Sequence, residues 1–157
     1  MAETKTNAMR MLDKSKIPYS VMIYAHDDGE IDGVAVAKKI GKPAEIVFKT
    51  LVAHQGASLF VFIIPVAEEL DLKLAAKAAG VKKIEMLPVK ELQQKTGYIR
   101  EGCSPLGMKK LYPTFIDRSA KDLPTMLVSA GRIGLQLEIQ PECLAEQVSG
   151  SFVPIVV

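Results

Sequence analysis

The chain has 157 residues, of which 48% are hydrophobic and 24% charged, and its formal net charge is +2. These proportions set aside disordered and fibrous classes, and the charge is too small to mark a nucleic-acid binder by whole-chain electrostatics. No apolar run approaches the ~20 residues that span a bilayer, and the opening residues lack the apolar segment of a signal peptide. A single cytoplasmic domain over 1–157 is therefore expected, with its two cysteines, Cys103 and Cys143, reduced and not in a Cys-x-x-Cys pair.

In chain order, Ala8, Met11 and Leu12 recur at helical spacing within Thr6 to Ser15, and Pro18 follows as a stop. Tyr19 to Tyr24 is strand-like and ends at the turn residues Asp27-Asp28-Gly29. A helix is predicted from about Asp32 to Ile40, closed by Gly41. Ile46 to Val52 then reads as a strand whose two alternating sets are both mostly apolar, so both faces should be covered. Lys49 stands in the middle of it. An ammonium on a covered strand either reaches water with its tip or finds partners, because desolvation alone disfavours its charged form.

A short connection through Gly56 leads to a strand over Leu59 to Ile64, which predicts a hairpin. An alanine-rich helix follows over Asp71 to Ala79, then a short strand at Ile84 to Leu87 and a helix over Val89 to Lys95. The stretch from Gly97 to Lys110 holds three glycines and a proline, so a loop is expected, with backbone N–H groups free to face a ligand. Strands are predicted at Thr114 to Asp117, Thr125 to Ser129 and Leu135 to Ile139, the last two joined by a turn at Ala130 to Gly134. A short helix over Pro141 to Gln147 precedes an apolar tail that pairs or packs. About seven strands and five helices with tight turns predict an α+β fold built on a mixed, largely antiparallel sheet flanked by helices.

Several local patterns fail as complete motifs. Gly102 and Gly107 have the spacing of a phosphate-binding loop, but Met108 occupies the position that requires lysine. Cys103 with His26 or His54 would make a thiol nucleophile and base, although a lone cysteine among glycines more often packs. Two cysteines and two histidines without short ligand spacing do not resemble a zinc site. The pairs Lys38-Lys39, Lys82-Lys83 and Lys109-Lys110 would form a basic patch only if the fold brought them together.

Taken in order, Val47-Phe48-Lys49-Thr50-Leu51, Asp71 to Lys77, Gly97-Tyr98, Gly102 to Lys110 and Val128-Ser129-Ala130-Gly131 resemble the YbaK family of aminoacyl-tRNA deacylases. That family is related to the editing domain inserted in bacterial prolyl-tRNA synthetases, and the resemblance runs from the first helix to about residue 148. It implies a free-standing enzyme that removes a mischarged small amino acid, typically cysteine, from proline tRNA, with neither metal nor cofactor. A synthetase pocket built for proline rejects similarly small amino acids poorly, so a second, hydrolytic site is needed. The implied partners are the tRNA acceptor end and prolyl-tRNA synthetase.

By the same resemblance, Lys49, Gly102 and Ser104 are the catalytic candidates, while Tyr24, Thr50, Pro105, Ser129 and Gly131 would bind substrate. Lys49 would anchor the acceptor end or the developing oxyanion, and N–H groups around Gly102 to Ser104 would donate to it. The attacking group is either water or the substrate's own thiol, and Cys103 would be a bystander. Two positions depart from the family pattern. Glu101 replaces the first of a glycine pair, and Gln136 stands where relatives commonly carry aspartate. A noncatalytic module that binds an acceptor end or a synthetase is the alternative, with Glu101 having disabled chemistry. A hydrolase using Cys103 is a third reading.

Overall fold

The computed structural model describes residues 5–157, so what was read from Met1 to Thr4 lies outside the described residues. Helix α1 (Asn7–Lys14) starts where the Thr6 side chain accepts from the Met9 N–H, and it turns Ala8, Met9 and Leu12 inward. Strand β1 (Ser20–Ile23) and helix α2 (Gly33–Ile40) follow; Asp32 caps α2, and Gly41 ends it in the left-handed conformation. Ile46 belongs to a 3-10 turn, Ala44–Ile46, so the lysine strand β2 begins at Phe48 and ends at Gln55.

Strand β3 (Ser58–Pro65) forms the expected hairpin with β2, placing Lys49 opposite Ile64. Helix α3 (Leu72–Ala79), strand β4 (Glu85–Met86), helix α4 (Val89–Thr96), strands β5 (Thr114–Asp117), β6 (Met126–Ser129) and β7 (Leu135–Ile139), and helix α5 (Pro141–Val148) come next. The tail adds β8 (Ser151–Val153), an eighth strand that pairs parallel with β5.

The α+β reading holds, but the strands divide between two sheets. One is antiparallel, in the order β1-β7-β6; the other is mixed, in the order β4-β2-β3-β5-β8, with β5 parallel to both its neighbours. An isolated bridge between Val47, just before β2, and Leu127 ties this end of β2 toward β6. The pleat of β3 explains why this strand is apolar throughout. Leu59, Val61 and Ile63 enter the core shared with α1, β6, β7 and α5, while Phe60, Phe62 and Ile64 enter a second one against Ala75 and Ala76 of α3.

The pairing of β2 decides where the site lies. On the side away from β3, β4 pairs only with Ala53 and His54, the Leu87 N–H reaches the Val52 carbonyl, and the next link is the bridge at Val47. Residues 48–51 are left with an open edge between those points. The gap between the two sheets at this edge is a cavity.

Candidate functional site

The cavity has a volume of about 520 Å³. Lys49, Thr50 and Leu51 of the open β2 edge form one wall, the start of α2 from Asp32 to Val34 another, and Leu87, Val89 and Leu92 a third. Arg100, Glu101 and Cys103 come from the glycine loop, and Ser129 with Gln136 closes it from the antiparallel sheet. Most of this lining is apolar, with few polar groups placed among it, as small-molecule sites generally are.

Lys49 is half-buried, and among the described residues its ammonium has neither an ion pair nor a hydrogen bond. Lys49 is among the residues lining the cavity, and its charge acts on Glu101 of the same lining. Thr50 is beside Lys49, and its Oγ1 is buried without a hydrogen-bond partner among the described residues, as is Oε1 of Gln136. Buried polar groups are normally paired, and an orphan costs about 1–3 kcal/mol. Both atoms are sealed from solvent, so they lie beneath the cavity lining and are not contact points on its surface. Ser129 also lines the cavity, and its Oγ accepts from the Gly131 N–H at 3.1 Å.

Glu101 brings a carboxylate side chain from the glycine loop to the cavity that Lys49 lines. Burial pushes its pKa up, Asp32 adds to the effect, and Arg100 and Lys49 oppose it. Asp32 is committed to helix capping, its Oδ1 accepting from the Ala35 N–H at 3.0 Å.

The structure does not bring every expected residue to this cavity. Tyr24 is buried just beyond β1, its N–H bonded to the Gly134 carbonyl, and it is not on the cavity wall. Gly102 does not offer its N–H as a donor, since that group already bonds the Ile99 carbonyl at 3.1 Å. Its value is steric: a Cβ there would come within 3.1 Å of the Ile133 nitrogen. Ser104 is fully buried and its Oγ accepts from the Leu106 N–H at 3.2 Å, which shapes the loop from within. Pro105 is buried beside it. Gly131, at φ 102°, lies against the Tyr98 ring, where a Cβ would approach a ring carbon to 2.8 Å. None of these residues lines the site, and Gly102, Ser104, Pro105 and Gly131 lie in or against the loop that carries Glu101 and Cys103.

Cys103 is a poor nucleophile here. Burial pushes its thiol up to about 12, so almost no thiolate exists near neutral pH. Neither His26 nor His54 lines the cavity, and the Nδ1 of His54 is 3.1 Å from the Gly56 carbonyl. Among the described residues no three His, Cys, Asp or Glu side chains group as a metal site, and no helix is long and apolar enough to cross a membrane. One lysine of each pair has a partner among the described residues, while Lys38, Lys82 and Lys110 have no ion pair among them. Lys39 bonds the Ala25 and Glu30 carbonyls and Asp28, Lys83 is 3.7 Å from Glu85, and Lys109 reaches the Gln94 carbonyl.

The wall residues from α2 and α4 were not legible as site residues. The Asp32-Gly33 pair opening α2 was their one local signal, and it reads equally as an ordinary helix start.

A family profile described as the aminoacyl-tRNA editing domain matches residues 28–146. The chain belongs to that family. The editing-domain match takes in α2, the open strand edge, the glycine loop and both cavity-lining strands of the antiparallel sheet. Among related proteins, EbsC of Enterococcus faecalis, a candidate Cys-tRNA(Pro)/Cys-tRNA(Cys) deacylase, is 43% identical over 98% of this chain and 94% of its own. The fold also matches a candidate trans-editing enzyme for prolyl-tRNA synthetase, with TM-score 0.85 at 17% identity over 99% of both chains. A hypothetical protein, APE2540, matches with TM-score 0.86 at 18% identity, over 97% of this chain and 100% of its own. At such identities these two structures speak for the editing-domain fold alone.

Proposed function

We propose that the protein is a free-standing deacylase that removes a mischarged small amino acid, cysteine first, from proline tRNA. The observation that carries this reading is a small, mostly apolar cavity whose lining includes Thr50, Ser129, Gln136 and Lys49, a cation with no ion pair among the described residues. Membership of the editing-domain family and the EbsC relative supply the substrate class. The cavity accommodates an aminoacyl group and leaves the bulk of a tRNA outside.

An aminoacyl ester is already activated, so the site mainly has to orient it and stabilise charge at the carbonyl. Lys49 is the group that meets that charge, since the Gly102 N–H is occupied and the Cys103 thiol stays protonated. Thr50 and Ser129 position the amino acid. Water attack forms the acid and releases the ribose hydroxyl. Attack by a cysteine substrate instead forms a carbon–sulfur bond, breaks the ester carbon–oxygen bond, and passes the thiol proton to the departing ribose oxygen; the cyclic thioester then hydrolyses. Selection of the tRNA falls to prolyl-tRNA synthetase as a partner, and the setting is the cytoplasm, where the synthetase works.

The test compares deacylation of cysteinyl-, alanyl- and prolyl-tRNA(Pro) by the wild type and Lys49→Ala. Losing one charge-stabilising group should lower kcat about 100-fold or more with circular dichroism unchanged. Hydrolysis that survives in Lys49→Ala refutes the assignment. Binding without turnover in the wild type selects the noncatalytic module.

A further inference from the structure

Three described residues other than glycine have positive φ, and of these only Glu101 lines the cavity. Its φ is 68°, in a turn closed by the Gly102 N–H on the Ile99 carbonyl. With a negative φ at Arg100, the turn places its third residue where glycine is normally required. A side chain there costs about 1–2 kcal/mol of backbone strain. What the molecule gains is a carboxylate on the wall of the site.

That carboxylate lacks a firm partner. Its side chain is 29% exposed, and Arg100 Nε stands 3.6 Å from Oε1, beyond hydrogen-bond distance, on a side chain 69% exposed. Among the described residues no donor bonds it. The lining thus holds one weakly partnered carboxylate, with Lys49 of β2 in the same cavity. A small ligand bearing a cation with several N–H donors complements it.

We propose that Glu101 binds the α-ammonium group of the esterified amino acid and thereby makes the site selective for esters whose amine is free. This rests on the deacylase reading of the cavity. The ammonium nitrogen and the carbonyl carbon are separated by two bonds of about 1.5 Å each. A carboxylate on the first and the Lys49 ammonium on the oxygen of the second would fix the ester from both ends. An N-acylated ester offers an uncharged amide in place of the cation, and leaves a partly desolvated carboxylate unmatched.

The experiment has a binding arm and a turnover arm. Binding uses adenosine carrying cysteine through a stable 3′-amide, with the amine free or N-acetylated. The wild type should prefer the free amine by ten-fold or more. Glu101→Gln, which keeps the shape, and Glu101→Gly, which relieves the backbone, should both lose that preference while affinity for the acetylated analogue stays the same or rises. A preference that persists in both variants overturns the proposal, as does a wild type that binds the two alike or neither. In turnover, cysteinyl-tRNA(Pro) and its N-acetyl form should show the same Glu101-dependent ratio. An equal loss on both esters in the variants refutes amine recognition. Absence of all turnover in the wild type refutes the deacylase reading, and the binding arm then decides Glu101 independently.

Discussion

Thr50 shows at the residue scale how function competes with stability. Its hydroxyl is buried and unpartnered, so in the ligand-free protein it costs free energy that an apolar group of the same shape would not. Thr50→Val should therefore leave stability unchanged or raise it by up to about 1 kcal/mol, while kcat/KM for cysteinyl-tRNA(Pro) falls roughly ten-fold. Urea unfolding alongside deacylation kinetics separates the two effects. Loss of stability together with retained activity would mean that the hydroxyl has a partner in the native protein and none in the substrate. Lys49 differs because it is half-buried on the cavity lining with no ion pair among the described residues, so truncating it removes charge more than packing.

Among the elements, the start of α2 is held against β3 and its continuation by one close approach. A Cβ on Gly33 would come within 2.3 Å of the Val66 side chain. Gly33→Ala must push α2 off Val66 and move Asp32 and Val34, which line the cavity. The expected outcome is a destabilisation of about 1–3 kcal/mol, measured by thermal melting, with a rise in KM larger than any change in kcat. Val66→Ala in the same background opens room for the added methyl and should restore most of the KM, whereas failure of that rescue would place the damage elsewhere. The glycine loop obeys a similar rule. Tyr98 donates to the Leu106 carbonyl at 2.6 Å and packs under Gly131, so the loop's shape is set by contacts from its own ends.

For the whole molecule, two buried acids link stability to alkaline pH. Burial pushes Cys103 from 9.0 up to about 12 and Tyr98 from 10.0 up to about 12. Both stay protonated in the folded chain while the unfolded chain ionises. The folded state then binds more protons, so stability is full below pH 9 and falls as pH rises toward 12. Equilibrium unfolding from pH 8 upward should show this decline, and Tyr98→Phe should flatten the part that begins near pH 10. A wild-type curve that is level over this range would mean that both groups reach solvent.

The sequence by itself determined the elements and their order. The covered strand around Lys49, the hairpin after it, the glycine loop and the β6–β7 hairpin all follow from apolar periodicity and turn chemistry, which act over a few residues. The family resemblance pointed to Lys49, Thr50 and Ser129, and all three line the cavity. Only the tertiary structure decided that the strands form two sheets, that the gap between them is the cavity, and that Asp32, Leu87 and Leu92 line it. Those neighbours are brought together by pairing between distant segments, which local spacing does not encode. The same holds for Gly102 and Ser104. Their residue types suit a ligand-binding loop, but whether an N–H or a hydroxyl is free depends on which partner the folded chain puts beside it, and here Ile99 and Leu106 take them.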